Sequence, residues 1–370
     1  MLSPIVVIPA ALLILSILVL VHEFGHFIAA KIIGVWPEEF GIGLPPRAWG
    51  KKIGETIYSV NWLPLGGFVR LHGESPDSEV TKPSRAFINA SRPKRAFVAL
   101  AGIFMNFLFA WVCFTLMFLV SGIPRGVAVS EVEKNSPAEE AGVLPGDVIY
   151  TLNNQEIIGT EEFLLNIRNN RGETVALGIE RKKDSKLEYM TTGVNVREEV
   201  VEGQGFTGIT YDVRPVEFEA PNPVNIVYYG GRETVKWTKF TVEALATLFR
   251  DLGRGTVPQG LSGPFGVTLT IAEVIRYGIV ALLSFTGIIS VNLALINVIP
   301  FPPLDGSRVV LLGVEALVGK KHLAKVEGKV LNAGMIVLLV LIGLLTLSEI
   351  PRLISVGGSI SGFVDSLMTQ

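Results

Sequence analysis

The chain has 370 residues, of which 49% are hydrophobic and 18% are charged, and its mean hydropathy of +0.47 is typical of an integral membrane protein. This composition excludes a disordered chain and an ordinary water-soluble enzyme, and the net charge of -2 argues against a nucleic-acid partner. Cys113 is the single cysteine, which excludes an intramolecular disulfide and a cysteine zinc site, so a bound metal would need histidine and carboxylate ligands.

Four apolar segments are long enough to cross a hydrocarbon core of about 30 Å. They cover residues 5–33, 97–120, 278–299 and 330–347. The first segment lacks the basic start and the small-residue cleavage site of a signal peptide, so we expect it to remain in the mature protein. Four crossings would place both termini on the same side of the membrane.

The charges of the connecting loops orient these segments. Residues 35–95 contain nine Lys and Arg residues, and the connection after the third segment contains five. The positive-inside rule therefore predicts that both loops are cytoplasmic. The termini and the long region between the second and third segments would then lie outside.

The end of the first segment carries the sequence His22-Glu23-Phe24-Gly25-His26, which is an H-E-x-x-H pattern. Residues four apart share one face of a helix, so the two imidazoles could bind one Zn²⁺, and Glu23 could take a proton from a water that the metal polarises. Ionisable groups inside a spanning helix are costly and mostly line a cavity or bind something. The alternative is two polar residues packed in a helical bundle, but two histidines and a glutamate in this order favour a metal site.

The first loop has a β-prone pattern. Residues 56–62 and 68–71 favour extended structure, with a turn signal at 64–67 between them, which predicts a β-hairpin. Its apolar content predicts that the hairpin dips back toward the bilayer, is shielded there by protein, and offers an edge to an unfolded substrate strand. A small cytoplasmic hairpin without a catalytic part is equally consistent with the sequence.

Residues 124–214 are charged and polar and are predicted to form a mixed domain. We expect a short helix capped by Ser136, a second helix at 161–169, strands at 175–181, 187–192 and 206–211, and a charged turn at 182–184. The stretch 136–149 resembles a PDZ domain of the bacterial protease type, which implies a groove that takes a peptide by strand addition. Asp147 is interpreted as a turn residue and Glu140 as a surface residue. Residues 215–276 are amphipathic and predict helices at the membrane interface.

A catalytic zinc site generally has three protein ligands, so a third is needed. After Asn297 at the end of the third span, three prolines interrupt the helix, and Asp305 follows them. The first and third spans run in the same direction, which puts Asp305 on the same side of the bilayer as His22 and His26 and makes it the best candidate. Asp305 and the glycine after it could also be only the turn into a helix at 307–318.

These stretches together resemble the site-2 protease family. Residues 22–26 carry its zinc motif, and residues 297–306 match N-x-x-P-x-P-x-L-D-G. The single PDZ-like domain is most similar to the bacterial regulator-of-sigma-E protease group, whose best-known member has two such domains. Further matching stretches are 40–43, 64–69, 261–264 and 290–293.

The resemblance implies a multi-pass α-helical membrane protein with four transmembrane helices, a re-entrant β-hairpin at about 56–71 and an inserted α+β PDZ domain. The expected domains are 1–123, with two spans and the hairpin; 124–214, the PDZ domain; 215–276, the interfacial helices; and 277–370, with the last two spans. It also implies that His22, His26 and Asp305 bind Zn²⁺ and that Glu23 is the general base. The predicted substrate-binding residues are Asn292, Asn297, Gly67, Phe68 and Val69.

The implied activity is an intramembrane zinc metalloprotease in a bacterial inner membrane. Its substrates would be single-pass proteins already shortened on their outer side, such as anti-sigma factors or remnant signal peptides, in regulated intramembrane proteolysis. Two other classes of function are a non-proteolytic membrane adaptor and a transporter-like protein. The intact Glu23 argues against the adaptor, and the lack of inverted repeats argues against the transporter.

Overall fold

The computed structural model describes residues 4–74, 80–183, 186–200, 205–211, 217–219, 222–255 and 262–368. The chain divides into two compact units, Met1–Met117 with Val227–Gln370, and Phe118–Ile226. In chain order the helices and strands are α1 (Pro4–Ile33), β1 (Pro37–Ile53), β2 (Thr56–Leu71), α2 (Arg92–Ser121), β3 (Ile123–Arg125), β4 (Val127–Val132), α3 (Pro137–Glu140), β5 (Val148–Leu152), β6 (Gln155–Glu156), α4 (Gly159–Asn169), β7 (Thr174–Lys183), β8 (Lys186–Asn195), β9 (Ile209–Tyr211), β10 (Glu217–Glu219), α5 (Pro223–Gly253), α6 (Pro264–Val274), α7 (Ile279–Val298), α8 (Asp305–Val318), α9 (Lys320–Ser355) and α10 (Ile360–Met368).

Four helices of the described residues are long and apolar enough to cross a membrane. They are Ile5–Ile33 of α1, Arg92–Ser121, which is α2, Ile279–Val298, which is α7, and Val326–Ser355 of α9. A helix forms most of its backbone hydrogen bonds within itself, as a lipid environment requires. The four spanning segments predicted from the sequence are therefore confirmed as helices of suitable length and composition.

The strands β1 and β2 form one sheet in which β1 pairs with β2 along three stretches. Residues 37–42 pair with 67–71, residues 39–42 pair also with 57–60, and residues 47–53 pair with 56–61. The segments 57–60 and 67–70 therefore lie on opposite sides of residues 39–42, and the direct pairing predicted between 56–62 and 68–71 is corrected. The turn signal at 64–67 does mark a reversal of β2, but the stretch that lies between 57–60 and 67–70 is formed by residues 39–42 of β1.

Protein covers only part of this sheet. Side chains near the start of β1 alternate between buried and more exposed positions, whereas residues 44–53 are exposed on both faces. Trp49 and Trp62 are 60% and 71% exposed. Within the hairpin predicted at 56–71, Trp62 and Leu63 are exposed, so the expected shielding by protein does not extend to this part. The hairpin is attached to α1, where the Ser16 hydroxyl donates to the Pro64 carbonyl at 2.9 Å and accepts from the Gly66 amide at 3.1 Å.

The second unit is the expected mixed domain. Its main sheet has the strand order β8-β7-β5-β4-β9, with β6 on β5, and the inward side chains of these strands and of α4 form one apolar core. Ser136 caps α3 by accepting from the Glu139 amide at 3.2 Å. Asp147 lies in a turn as predicted, but it is buried and accepts two hydrogen bonds from Arg181, at 2.7 and 2.8 Å. Residue 184 of the predicted charged turn lies outside the described residues.

Among the described residues of 215–276, the first unit contains the long helix α5 and the shorter α6, so helices lie where they are expected and their placement at the membrane interface stays a prediction. The Trp111 indole of α2 donates to the Val227 carbonyl of α5 at 2.9 Å. Further along α5, Trp237 packs against a cluster containing Phe114 of α2 and Val291 of α7. Helix α5 is thus packed against two of the candidate spanning helices.

Candidate metal centre and catalytic cavity

Helix α1 places two histidines on one buried face. His22 and His26 are one helical turn apart and are 7% and 8% exposed. Their Nε2 atoms lie 3.1 Å from each other. The His26 Nδ1 atom is 2.8 Å from the Val98 carbonyl, which can only accept, so this nitrogen carries the proton and the Nε2 lone pair faces the other histidine.

The break between α7 and α8 delivers the carboxylate. Helix α7 ends at Val298, three prolines follow, and α8 begins at Asp305. A Cβ on Gly306 would lie 2.1 Å from the Val298 carbonyl oxygen, so only glycine allows α8 to begin this close to the end of α7. The Asp305 Oδ2 atom consequently lies 2.8 Å from His22 Nε2 and 3.2 Å from His26 Nε2.

These three residues fit a zinc ion. Ligand atoms about 2.0 to 2.1 Å from a tetrahedral zinc lie about 3.3 Å apart, and the three separations here are 2.8, 3.1 and 3.2 Å. Two imidazoles and one carboxylate also form a ligand set that leaves one position open in catalytic zinc sites. His22, His26 and Asp305 can therefore hold the metal after small adjustments of their side chains.

Glu23 faces the same cavity. Its Oε2 atom accepts a hydrogen bond from the Val69 amide of β2 at 3.1 Å. The cavity has a volume of about 410 Å³ and is lined by Glu23, the two histidines, Asp305 and residues of α7 and β2. A carboxylate beside a metal-binding group inside a cavity is the arrangement that water-activating hydrolases use.

Comparison with known proteins agrees with this geometry. The family described as peptidase family M50 matches residues 10–341. The chain belongs to peptidase family M50. This membership confirms the resemblance to the site-2 protease family and the predicted class of enzyme, a zinc metalloprotease.

Relatives of this M50 peptidase align with nearly its whole length. A Clostridium perfringens protein, whose name assigns it provisionally to the zinc metalloproteases, is 33% identical over 92% of this chain and 97% of its own length. Zinc metalloprotease RasP of Shouchella clausii is 26% identical over 94% of this chain and 99% of its own. The chloroplastic membrane metalloprotease ARASP of Arabidopsis thaliana is 30% identical over 90% of this chain and 76% of its own.

Not all predicted substrate-binding residues of the M50 peptidase reach the cavity. Asn297, Phe68 and Val69 line it. Gly67 lies in the sheet, where a Cβ would meet the carbonyl oxygen of the paired strand at 2.9 Å. Asn292 is not among the lining residues, and its Oδ1 accepts a hydrogen bond from Thr241 of α5 at 2.7 Å.

Sequence reasoning missed the contribution of α2. A Cβ on Gly102 would lie 2.6 Å from His26 Nε2 and 2.7 Å from His22 Cε1, so α2 touches both rings. Val98 and Asn106 lie four residues before and after Gly102. The Val98 carbonyl contacts the Nδ1 atom of His26, and the Asn106 side chain contacts the Nδ1 atom of His22. The spacing of four between these residues shows in the sequence that they share one face of α2. Only the position of α1 in the structure shows that this face contacts the two histidines.

Ion pairs fix the elements around the cavity. Arg308, one turn after Asp305, donates to Glu74 at 2.6 Å. Farther along α8, both carboxylate oxygens of Glu315 accept from Arg95 at 2.7 Å. Burial would raise the pKa of Glu315, but the hydrogen bonds and charges of Arg95 and Arg92 hold that pKa below its ordinary value. Helix α8 is thus anchored to the start of α2.

Proposed function

We propose that this M50 peptidase cleaves peptide bonds within transmembrane segments of single-pass membrane proteins. In this proposal His22, His26 and Asp305 hold zinc and Glu23 is the general base. The observation that carries the proposal is the contact at 2.8 Å between His22 and Asp305, which are 283 positions apart in the chain. Such a convergence of two imidazoles and a carboxylate in a helical membrane bundle is costly unless it binds something.

The chain's own residues would divide the chemistry among them. Bound zinc supplies Lewis-acid chemistry, which makes a water easier to deprotonate and a peptide carbonyl easier to attack. Glu23 takes the proton from the attacking water and then gives it to the leaving amine. The Val69 amide, by donating to Glu23 at 3.1 Å, holds the carboxylate in the cavity.

A substrate would be held in an extended conformation. The carbonyls of a transmembrane helix are occupied by its own hydrogen bonds, so the helix must unwind locally before attack. The segment 67–71 lies at the outer side of the sheet, paired only with β1 among the described residues, so it could pair with an unwound substrate strand. Asn297 lines the cavity and could bind backbone groups that unwinding frees.

The substrate class is proposed from the family resemblance. Single-pass proteins already shortened on their outer side, such as anti-sigma factors or remnant signal peptides, would be cleaved in regulated intramembrane proteolysis. Residues 124–214 would form a PDZ domain that inspects the shortened end, by binding it or by excluding longer chains. The strand-rich fold of the second unit supports a peptide-binding domain of this kind.

The proposed location is a bacterial inner membrane with the catalytic residues toward the cytoplasm. The loop between the first two spans and the connection before the fourth are rich in Lys and Arg, which supports this orientation. The chain would then divide into 1–123, 124–214, 215–276 and 277–370 as expected from the sequence. The observed unit Phe118–Ile226 supports the second of these divisions.

The test is zinc analysis together with cleavage of a model transmembrane peptide by the purified full chain. We expect Glu23→Gln to retain zinc, because the proposed ligands are unchanged, and to lose about 100- to 10,000-fold in cleavage rate, because the proposed base is removed. Asp305→Ala should lose both zinc and cleavage. Cleavage by Glu23→Gln at the wild-type rate, or full zinc content in Asp305→Ala, would refute the proposed roles.

A further inference from the structure

Helix α2 contacts the rings of His22 and His26, the two histidines of the proposed ligand set. Its residues Val98, Gly102 and Asn106 follow at intervals of four and so lie on one face. The His26 Nδ1 atom lies 2.8 Å from the Val98 carbonyl oxygen, and the His22 Nδ1 atom lies 3.2 Å from the side-chain amide of Asn106. Asn106 is fully buried, with 0% exposure.

The tautomer of each histidine follows from its two neighbours. Both Nε2 atoms face Asp305, and an imidazole nitrogen that binds a metal carries no proton, so the proton must be on Nδ1. The Nδ1 proton of His26 has the Val98 carbonyl as its acceptor. The Nδ1 proton of His22 needs an acceptor as well, and Asn106 is its neighbour.

The orientation of the Asn106 amide decides whether it can accept this proton. With Nδ2 toward His22, two donors face each other, and the Oδ1 atom is buried without a hydrogen-bond partner among the described residues. Rotation of the amide by 180° leaves its shape almost unchanged and places Oδ1 against the Nδ1 proton. No partner of Oδ1 is lost by this rotation, and only the rotated amide matches a zinc-binding His22.

We propose that Asn106 is a positioning residue for the metal centre: its Oδ1 accepts the Nδ1 proton of His22 and so keeps the His22 Nε2 lone pair directed at zinc. The proposal rests on the proposed ligand set of His22, His26 and Asp305. The position of Asn106 is itself fixed, because its backbone carbonyl accepts from the Ser290 hydroxyl of α7 at 2.8 Å. Asn106 touches neither substrate nor metal and acts only through His22.

Two substitutions separate this role from simple packing. Asn106→Leu keeps the side-chain volume but removes the acceptor, and we expect the chain to bind zinc roughly 10- to 100-fold more weakly. Asn106→Asp keeps an acceptor, and we expect zinc affinity within about threefold of wild type. A packing role predicts the opposite order, because leucine fills the space and aspartate buries a charge.

The experiment measures zinc affinity of the detergent-purified full chain by competition with a chromogenic chelator, with thermal unfolding in excess zinc as the check on folding. Ser290→Ala is the matched control, since it removes a buried hydrogen bond to the same residue without touching His22, and it should retain wild-type affinity. Wild-type affinity in Asn106→Leu would overturn the inference. A folded Asn106→Asp variant that binds zinc roughly 10- to 100-fold more weakly than wild type would also overturn the inference. This result decides the case if Asn106→Leu does not fold.

His22→Ala distinguishes a failure of the role proposed for Asn106 from a failure of the proposed ligand set. Loss of zinc in His22→Ala together with wild-type affinity in Asn106→Leu would refute the role of Asn106 alone. Full zinc affinity in His22→Ala would instead refute the ligand set on which both proposals depend.

Discussion

At the scale of single residues, the proposed metal centre depends on how closely α2 can approach α1. Gly102 lies against both histidine rings, and its missing side chain is what allows the contact. The helix pays a small cost for glycine in its interior, about 1 kcal/mol relative to alanine in water. The close approach offsets this cost by bringing the Val98 carbonyl to His26.

Gly102→Ala tests this requirement. The new Cβ would lie 2.6 Å from His26 Nε2, so the ring must move and the ligand geometry is lost. We expect zinc affinity and cleavage rate to fall at least about tenfold, as for other changes that displace a ligand. Zinc titration and a peptide-cleavage assay measure both effects.

Gly343→Ala is the matched control for that substitution. It also replaces a glycine in a candidate spanning helix, but a Cβ there meets nothing within 4 Å. We expect wild-type zinc affinity and activity. Equal losses in the two variants would show that alanine acts on the helices in general and not on the metal centre.

At the scale of elements, the position of Asp305 depends on the position of α8. Contacts at both ends of the first three turns of α8 hold this helix in place. Gly306 allows its start to lie against α7, and Arg308 pairs with Glu74. Glu315 is nearly buried, with 4% exposure, and accepts from Arg95 with both oxygens. A buried carboxylate without a cationic partner would strongly destabilise the fold. When it is paired, it fixes the orientation of the helix.

Glu315→Gln should destabilise the chain in a pH-dependent way. Because the folded pKa of Glu315 is below its ordinary value of 4.5, the carboxylate stabilises the fold above about pH 4.5, and this contribution is lost as the pH falls through the folded pKa. We expect the variant to be less stable than wild type by about 1.5 to 3 kcal/mol at pH 7 and the difference to disappear in acid. Thermal unfolding of the two proteins in detergent from pH 7 downward measures it.

Glu55→Gln is the control for the pH experiment. Glu55 also accepts from two cations, Lys82 and Arg85, but on the exposed surface of the first loop. Exposed ion pairs contribute little to stability, so we expect no measurable change. A pH-independent effect of Glu315→Gln would show that the ion pair with Arg95 is not its cause.

At the scale of the whole molecule, the first unit combines a helical bundle with a short sheet beside the proposed metal centre. The bundle supplies His22, His26, Glu23 and Asp305, and the sheet supplies the Val69 amide and the strand 67–71. In the proposed function, a helical substrate would lose internal hydrogen bonds before it could lie along that strand. The stability of the substrate helix should therefore enter the rate of cleavage.

Substrates with a Gly or Asn at the centre of the transmembrane segment should be cleaved faster than matched substrates with leucine there. One central glycine weakens a helix by about 0.8 to 1 kcal/mol, which corresponds to about a fivefold faster reaction if unwinding precedes attack. The rates are compared at subsaturating substrate in detergent and in bilayers. Equal rates for the two substrates would contradict the unwinding step.

Much of the fold was predictable because its signals are local. The four spanning helices follow from long apolar segments, and the helices and strands of the second unit follow from caps, turns and alternation within a few residues. The hairpin was mispaired because residues 37–44, which pair with both ends of β2, contain glycines and a pair of acidic residues that give a weak strand pattern. Packing against α1 decides which part of the chain lies between the two β-prone segments.

The sequence by itself determined the chemistry proposed for the site: an H-E-x-x-H pattern on a helix, an aspartate after a proline break, and a predicted topology that puts both on one side of a membrane. Only the tertiary structure decided that the Asp305 carboxylate reaches both imidazoles, that Gly102 and Asn106 of α2 complete their surroundings, and that Asn292 is bonded to α5. The physical reason is that residue types and helical periodicity are properties of short segments. Contacts between helices depend instead on how side chains from distant segments fill the same space.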